Sequence, residues 1–145
     1  MIYSQDRRKL RQQYLDVWVK ANNHQKLEPL EQLIADVIAD HPEYHPLLSN
    51  ADAAIDSEFY PEHGNTNPFL HMGMHIALRE QVATDRPPGI ANLTRKMLLK
   101  YRDSHLMEHE MMEALGQILW QAQKDNAQPD EKLYMELLQK LATKN

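Results

Sequence analysis

Eight histidines are the most unusual feature of this 145-residue chain, and six of them form pairs spaced four residues apart. Random placement of the eight would give only about 0.4 such pairs, and this spacing puts two side chains on one face of a helix. Two imidazoles on one helix face can converge on one metal ion, because their Cβ atoms stand about 5–6 Å apart. The spacing therefore predicts a metal site. The three pairs are His41/His45, His71/His75 and His105/His109.

One of the pairs has a carboxylate in register with it. Glu113 follows His109 by four residues, so two imidazoles and a carboxylate lie along one face of a predicted helix. If this helix packs against the helix of His71 and His75, those two residues, His105 and His109 form a site inside a helical bundle. Glu113 then serves as a ligand or as a base. We predict this site between the two helices.

Proline interrupts the remaining pair. Pro42 stands between His41 and His45, and the residue before a proline is disfavoured in a helix. His41 nevertheless continues the apolar stripe of the preceding helix, so we predict that it points inward as an additional ligand. The role of His45 is left open.

The other side chains beside the histidines each have two interpretations. Several methionines are either gap-filling core residues or, with imidazole, donors for copper; core packing is the simpler account. The charged neighbours are either solvated or include one that orients a ligating imidazole. The methionines are Met72, Met74, Met107, Met111 and Met112, and the charged residues are Arg79, Glu80, Glu108 and Glu110.

The types of donor atom limit which metal ion could bind, but they do not indicate a reaction. The chain has no cysteine, which excludes disulfides, thiolate catalysis and cysteine-based zinc sites. Imidazole nitrogen with carboxylate oxygen suits zinc, iron, manganese or nickel. No Gly-rich phosphate loop, no G-x-S-x-G motif and no H-E-x-x-H motif is present. The sequence assigns no reaction and no substrate, so whether the protein is an enzyme is left open.

An alternative hypothesis is a non-enzymatic helical module for binding or homo-oligomerisation, with structural or pH-sensing histidines. Adding a charge at each of the eight histidines changes the formal net charge from −5 to +3, and histidine titrates near a pKa of about 6.5. The segment Arg86-Pro87-Pro88-Gly89 would then be a rigid contact loop. Its simpler interpretation is a connector between helices.

Composition and periodicity indicate an all-α protein. Leu, Met, Gln, Glu and Ala dominate and only four glycines occur. We predict one domain over residues 1–145, a bundle of five or six helices. The first helix has an apolar face formed by Leu10, Tyr14, Val17, Trp18 and Ala21. The predicted helices cover 5–21, 29 to a boundary at Pro42, 68–84, 92–125 with a break near Asp103, and 130–141. A short turn of helix is predicted at 41–48 and a short helix around 52–59.

Charge and hydropathy exclude two classes of partner. The chain has sixteen basic and twenty-one acidic residues. This net negative charge disfavours sequence-independent binding to nucleic acid and a polybasic patch that binds membranes. The start MIYSQDRRKL has no apolar export segment, and no window of about 18 apolar residues occurs. We therefore expect a cytoplasmic bacterial protein.

Three stretches of the chain are similar to one known family. They are HPEYHPLL, NPFLHMGMHIALREQVATDRPPGI and HLMEHEMMEALGQILWQAQKDNAQPDEKLYMELL. On these stretches the chain resembles the domain of unknown function 1841 family of small proteobacterial proteins. The resemblance implies a small cytoplasmic bacterial protein, and it assigns no catalytic residue.

Overall fold

The computed structural model describes residues 2–59 and 67–143. The chain divides into two compact units, residues 1–76 and residues 77–145. The described residues form eight α-helices, one 3-10 turn at Pro42–Tyr44 and no strand, which confirms the all-α class. None of these helices is long and apolar enough to cross a bilayer. The helices are α1 (Ile2–Asn22), α2 (Pro29–Ala39), α3 (His45–Leu48), α4 (Ala51–Asp56), α5 (Pro68–Thr84), α6 (Ile90–Tyr101), α7 (Ser104–Lys124) and α8 (Glu131–Thr143).

The predicted count of five or six helices is wrong, because the short helical turns expected after α2 form two separate short helices. Prolines at 42 and 46 suit the first turns of short helices, since a first-turn residue needs no N–H partner. The chain therefore forms the 3-10 turn, α3 and α4 in quick succession. Asn50 caps α4 by accepting a hydrogen bond from the backbone N–H of Ala53, 3.2 Å away.

The first unit is built on the contact of α1 with α2. Pro29 opens α2, and the Glu31 side chain accepts a hydrogen bond from the Glu28 N–H at 2.9 Å. The apolar stripes of the two helices meet the short helices and the start of α5 in one core. Its buried residues are Tyr14, Leu15, Val17, Ile34, Ala35, Val37, Ile38, Leu48, Ala54, Phe69 and Met72.

A buried arginine completes this first unit. The guanidinium of Arg11 donates to the carbonyl oxygens of Ala54, Ile55 and Ser57 at 3.1, 3.1 and 2.7 Å. These carbonyls belong to the last turn of α4 and the residue after it, which have no partners within the helix. The guanidinium also lies 4.9 Å from the ring centroid of Phe69. Burial is the main cause that lowers the pKa of Arg11 below its ordinary value. Arg11 therefore fixes α4 against α1.

The second unit packs α6, α7 and α8 against one another, together with the end of α5. The predicted break near Asp103 is confirmed. Arg102 adopts a left-handed conformation with φ 61°, which ends α6. Asp103 then caps α7 by accepting from the N–H groups of His105 and Leu106 at 3.0 and 3.2 Å. The buried apolar residues of this unit are Leu78, Ile90, Leu93, Met97, Met107, Met111, Ala114, Leu115, Ile118, Tyr134 and Leu138.

The loop between α5 and α6 is a capped helix connector. The carboxylate of Asp85 accepts from the backbone N–H groups of Gly89 and Ala91 at 3.1 and 3.0 Å. These two bonds hold the pKa of Asp85 below its usual range. Gly89 has φ 97°, a left-handed conformation that a side chain would strain. The geometry supports the interpretation of this segment as a connector between helices.

Candidate metal-binding histidines

Three histidines of the first unit pack ring against ring. The ring centroids of His41 and His75 are 4.7 Å apart, those of His71 and His75 4.9 Å, and those of His41 and His71 5.2 Å. His41 and His75 are 1% and 0% exposed. Each of these two offers a ring nitrogen, and the two nitrogens lie within 4.8 Å of each other. The first unit therefore contains an imidazole cluster of His41, His71 and His75, two of which are buried.

His41 enters this cluster because α2 ends just before it. The residue sits between Ala39, the last residue of α2, and the 3-10 turn that begins at Pro42. Its Nδ1 lies 2.7 Å from the carbonyl oxygen of Val37. A carbonyl oxygen only accepts, so Nδ1 carries a proton, and in the neutral ring Nε2 carries the lone pair. A metal-binding histidine is commonly oriented in this way by a backbone carbonyl.

His45 lies outside the cluster. Its Nε2–H donates to the carbonyl oxygen of Ile38 at 2.8 Å, and its ring packs on Trp18 with centroids 4.5 Å apart. The i, i+4 spacing of His41 and His45 does not give a shared face, because Pro42 ends the helical path between them. The structure gives His45 a packing role.

His71 and His75 share a face of α5, as their spacing predicts. Asn67 caps this helix by accepting from the N–H groups of Phe69 and Leu70 at 2.9 and 3.3 Å. The helix is continuous past both histidines, which keeps their side chains one turn apart. His75 is buried and His71 is half-buried.

His105 and His109 form a second pair on α7, in the second unit. Their ring centroids are 4.3 Å apart, and a ring nitrogen of each lies within 4.8 Å of the other. The cap at Asp103 places His105 in the first turn of α7, so both rings sit on a helix whose start is fixed. Two imidazoles one turn apart can bind one ion.

An ion pair with two hydrogen bonds joins Arg79 to Glu108, which lies next to this histidine pair in the sequence of α7. Arg79 Nε and Nη2 donate to Glu108 Oε2 and Oε1 at 3.0 and 3.1 Å. The contact joins the end of α5 to α7 within the second unit. Sequence patterns do not predict that Arg79 pairs with Glu108. The two residues are 29 positions apart and meet only in the folded chain.

Glu113 is exposed on α7. It lines a surface groove of about 300 Å³ where α7 faces α8. Its role as a ligand or a base stays a prediction. The other lining residues of the groove are Glu110, Ala114, Gln117, Leu137, Lys140 and Leu141.

Comparison with known proteins identifies the family. Residues 6–140 match the model described as Domain of unknown function (DUF1841). The chain belongs to this family. The resemblance seen in the three sequence stretches is thus confirmed. The DUF1841 description assigns no activity. Nothing matches the chain among curated proteins or among solved structures.

Proposed function

We propose that this DUF1841 protein binds divalent transition-metal ions through histidine side chains. His41 and His75 are the ligands of the first unit, with His71 beside them, and His105 and His109 are the ligands of the second unit. The observation that carries the proposal is the imidazole cluster of the first unit, which brings together histidines 30 residues apart in the sequence.

The spacing of the rings supports this role. A zinc-bound histidine nitrogen lies about 2.0–2.1 Å from the ion, which puts the ring centroid about 3.2 Å from it. Two such rings at a tetrahedral angle have centroids about 5.2 Å apart. The three centroid distances in the cluster are 4.7, 4.9 and 5.2 Å. The centroid distance between His41 and His75 is close to the tetrahedral value, and a ring nitrogen of each lies within 4.8 Å of the other.

The tautomer of His41 supports the same role. Its Nδ1–H is held by the Val37 carbonyl oxygen at 2.7 Å, so in the neutral ring the lone pair lies on Nε2 before a metal arrives. A fixed ring costs less conformational entropy on binding than a mobile one.

The donor atoms narrow the choice of metal ion. Imidazole nitrogens without thiolates suit zinc, nickel and iron, and manganese when a carboxylate is added. A bound ion with an open position would polarise an oxygen-bearing substrate or activate a water molecule. Glu113 as an added ligand or base is part of the same proposal.

Metal analysis of the full chain tests the proposal. The protein is purified without an affinity tag, stripped with a chelator, dialysed against zinc, nickel, iron or manganese ions, and analysed for bound metal. We expect retained metal and a higher melting midpoint, because an ion that binds the folded state stabilises it. A chain that retains no ion and melts at the same temperature in every case would overturn the proposal.

A further inference from the structure

We propose that Arg79 is a positioning residue that sets the metal preference of the second unit. By holding Glu108 in an ion pair, it keeps a carboxylate out of the coordination sphere of His105 and His109. The inference rests on the proposed metal binding, and it adds a determinant of specificity that lies outside the ligands themselves.

The geometry of the pair is what restrains the carboxylate. Both oxygens of Glu108 are engaged, one by Nε and one by Nη2 of Arg79, at 3.0 and 3.1 Å. The exposed fractions of the two side chains are 22% for Arg79 and 12% for Glu108, so water competes little for the contact. A planar guanidinium fork matches a carboxylate in this way with directional as well as electrostatic strength.

Glu108 is a carboxylate close in sequence to both histidines on α7. It follows His105 by three residues and directly precedes His109. Residues three apart on a helix are neighbours on its surface, with Cβ atoms about 5–6 Å apart. A Glu108 side chain released from Arg79 would therefore lie within range of an ion bound at His105.

The added oxygen donor would change which metal binds best. Nitrogen donors favour zinc and nickel, whereas carboxylate oxygen suits manganese. With Arg79 in place, Glu108 adds no oxygen donor to the histidine pair. Arg79 thus acts through Glu108, and we expect it to change the choice of metal more than the ability to bind one.

A set of variants of the full chain tests this role. Competition titrations with zinc or manganese ions alone give the ratio of their dissociation constants for the wild type, Arg79→Gln and Arg79→Gln/Glu108→Gln. Changes beside a metal site typically alter affinity by 10–100-fold, so we expect Arg79→Gln to reduce the preference for zinc over manganese by about tenfold or more. The double variant, which lacks the released carboxylate, should restore the wild-type ratio.

Two results would overturn the inference. One is an unchanged ratio in Arg79→Gln, and the other is a double variant that keeps the reduced ratio. Arg79→Lys retains the charge but loses the fork, and it should give an intermediate ratio; it also provides the comparison if Arg79→Gln does not fold. A wild-type chain that binds neither ion would instead contradict the proposed function itself, so the two failures are distinguishable.

Discussion

The ring of His41 is held by Val37, whose carbonyl oxygen accepts the Nδ1–H of the imidazole at 2.7 Å. Val37 lies in the last turn of α2, where carbonyl groups have no partner within the helix. The imidazole N–H thus satisfies a carbonyl group at the end of α2. The same hydrogen bond fixes which nitrogen of the buried ring carries this proton. This contact therefore joins α2, a helix predicted from the sequence, to a proposed metal ligand.

Replacing His41 or His75 with alanine should weaken zinc binding by about tenfold or more, since loss of a direct ligand should cost at least as much as loss of a supporting contact. Isothermal titration of the stripped protein with zinc ions measures the change. His45→Ala is the matched control, because this histidine lies in the same segment but bonds to the Ile38 carbonyl oxygen and packs on Trp18. Equal losses in all three variants would indicate general destabilisation and contradict the ligand assignment.

The second histidine pair should depend on both of its members. His105→Ala and His109→Ala should each reduce the amount of metal retained per chain, which equilibrium dialysis with metal analysis determines. Glu113→Gln removes the charge of an exposed side chain on the same helix. A fall in retained metal in this third variant would establish Glu113 as a ligand. Normal retention in both histidine variants would remove the pair from the proposed site.

The helices that carry the histidines could be predicted because their signals are local. Asn67-Pro68 marks the start of α5, and Asp103 marks the start of α7, both by side-chain caps that the structure contains. The i, i+4 spacing of His71 and His75 then follows from the helix itself. His41 is buried because it continues the stripe of α2, and Pro42 diverts His45 from it.

Contacts between distant residues could not be predicted in the same way. The stripe of α1 predicts that Leu10 is buried, yet Leu10 is 52% exposed and Arg11 is 2% exposed. Periodicity treats arginine as a surface residue, and only the last turn of α4 explains why its charge is accommodated inside. The pairing of Arg79 with Glu108 likewise depends on how α5 and α7 pack within the second unit.

Arg11→Met should destabilise the protein by about 2–3 kcal/mol, because several carbonyl groups near the end of α4 would lose their donor. Urea denaturation gives the free energy of unfolding. Arg8→Met is the matched control, since the Arg8–Asp56 ion pair is exposed and such pairs contribute about 0–1 kcal/mol. Similar losses in the two variants would contradict the role assigned to Arg11.

Burial of Tyr14 should make the protein sensitive to alkaline pH. Burial raises the pKa of Tyr14 to about 12 from its ordinary value of 10.0, because it disfavours the phenolate. The neutral hydroxyl therefore contributes stability that is fully present below pH 10.0 and is lost as the pH rises towards about 12. Tyr14→Phe should lessen the fall in unfolding free energy over this interval, measured by denaturation at several pH values. An identical pH dependence in wild type and variant would contradict this account.

The most direct test of the central claim is the X-ray absorption spectrum of the full chain loaded with zinc. We predict a first shell of nitrogen or oxygen at about 2.0–2.1 Å together with the outer-shell scattering of imidazole rings. The imidazole scattering should decrease in His41→Ala and His75→Ala and persist in His45→Ala. A spectrum of zinc surrounded by water or carboxylate alone, without imidazole scattering, would contradict the assignment of these histidines as ligands.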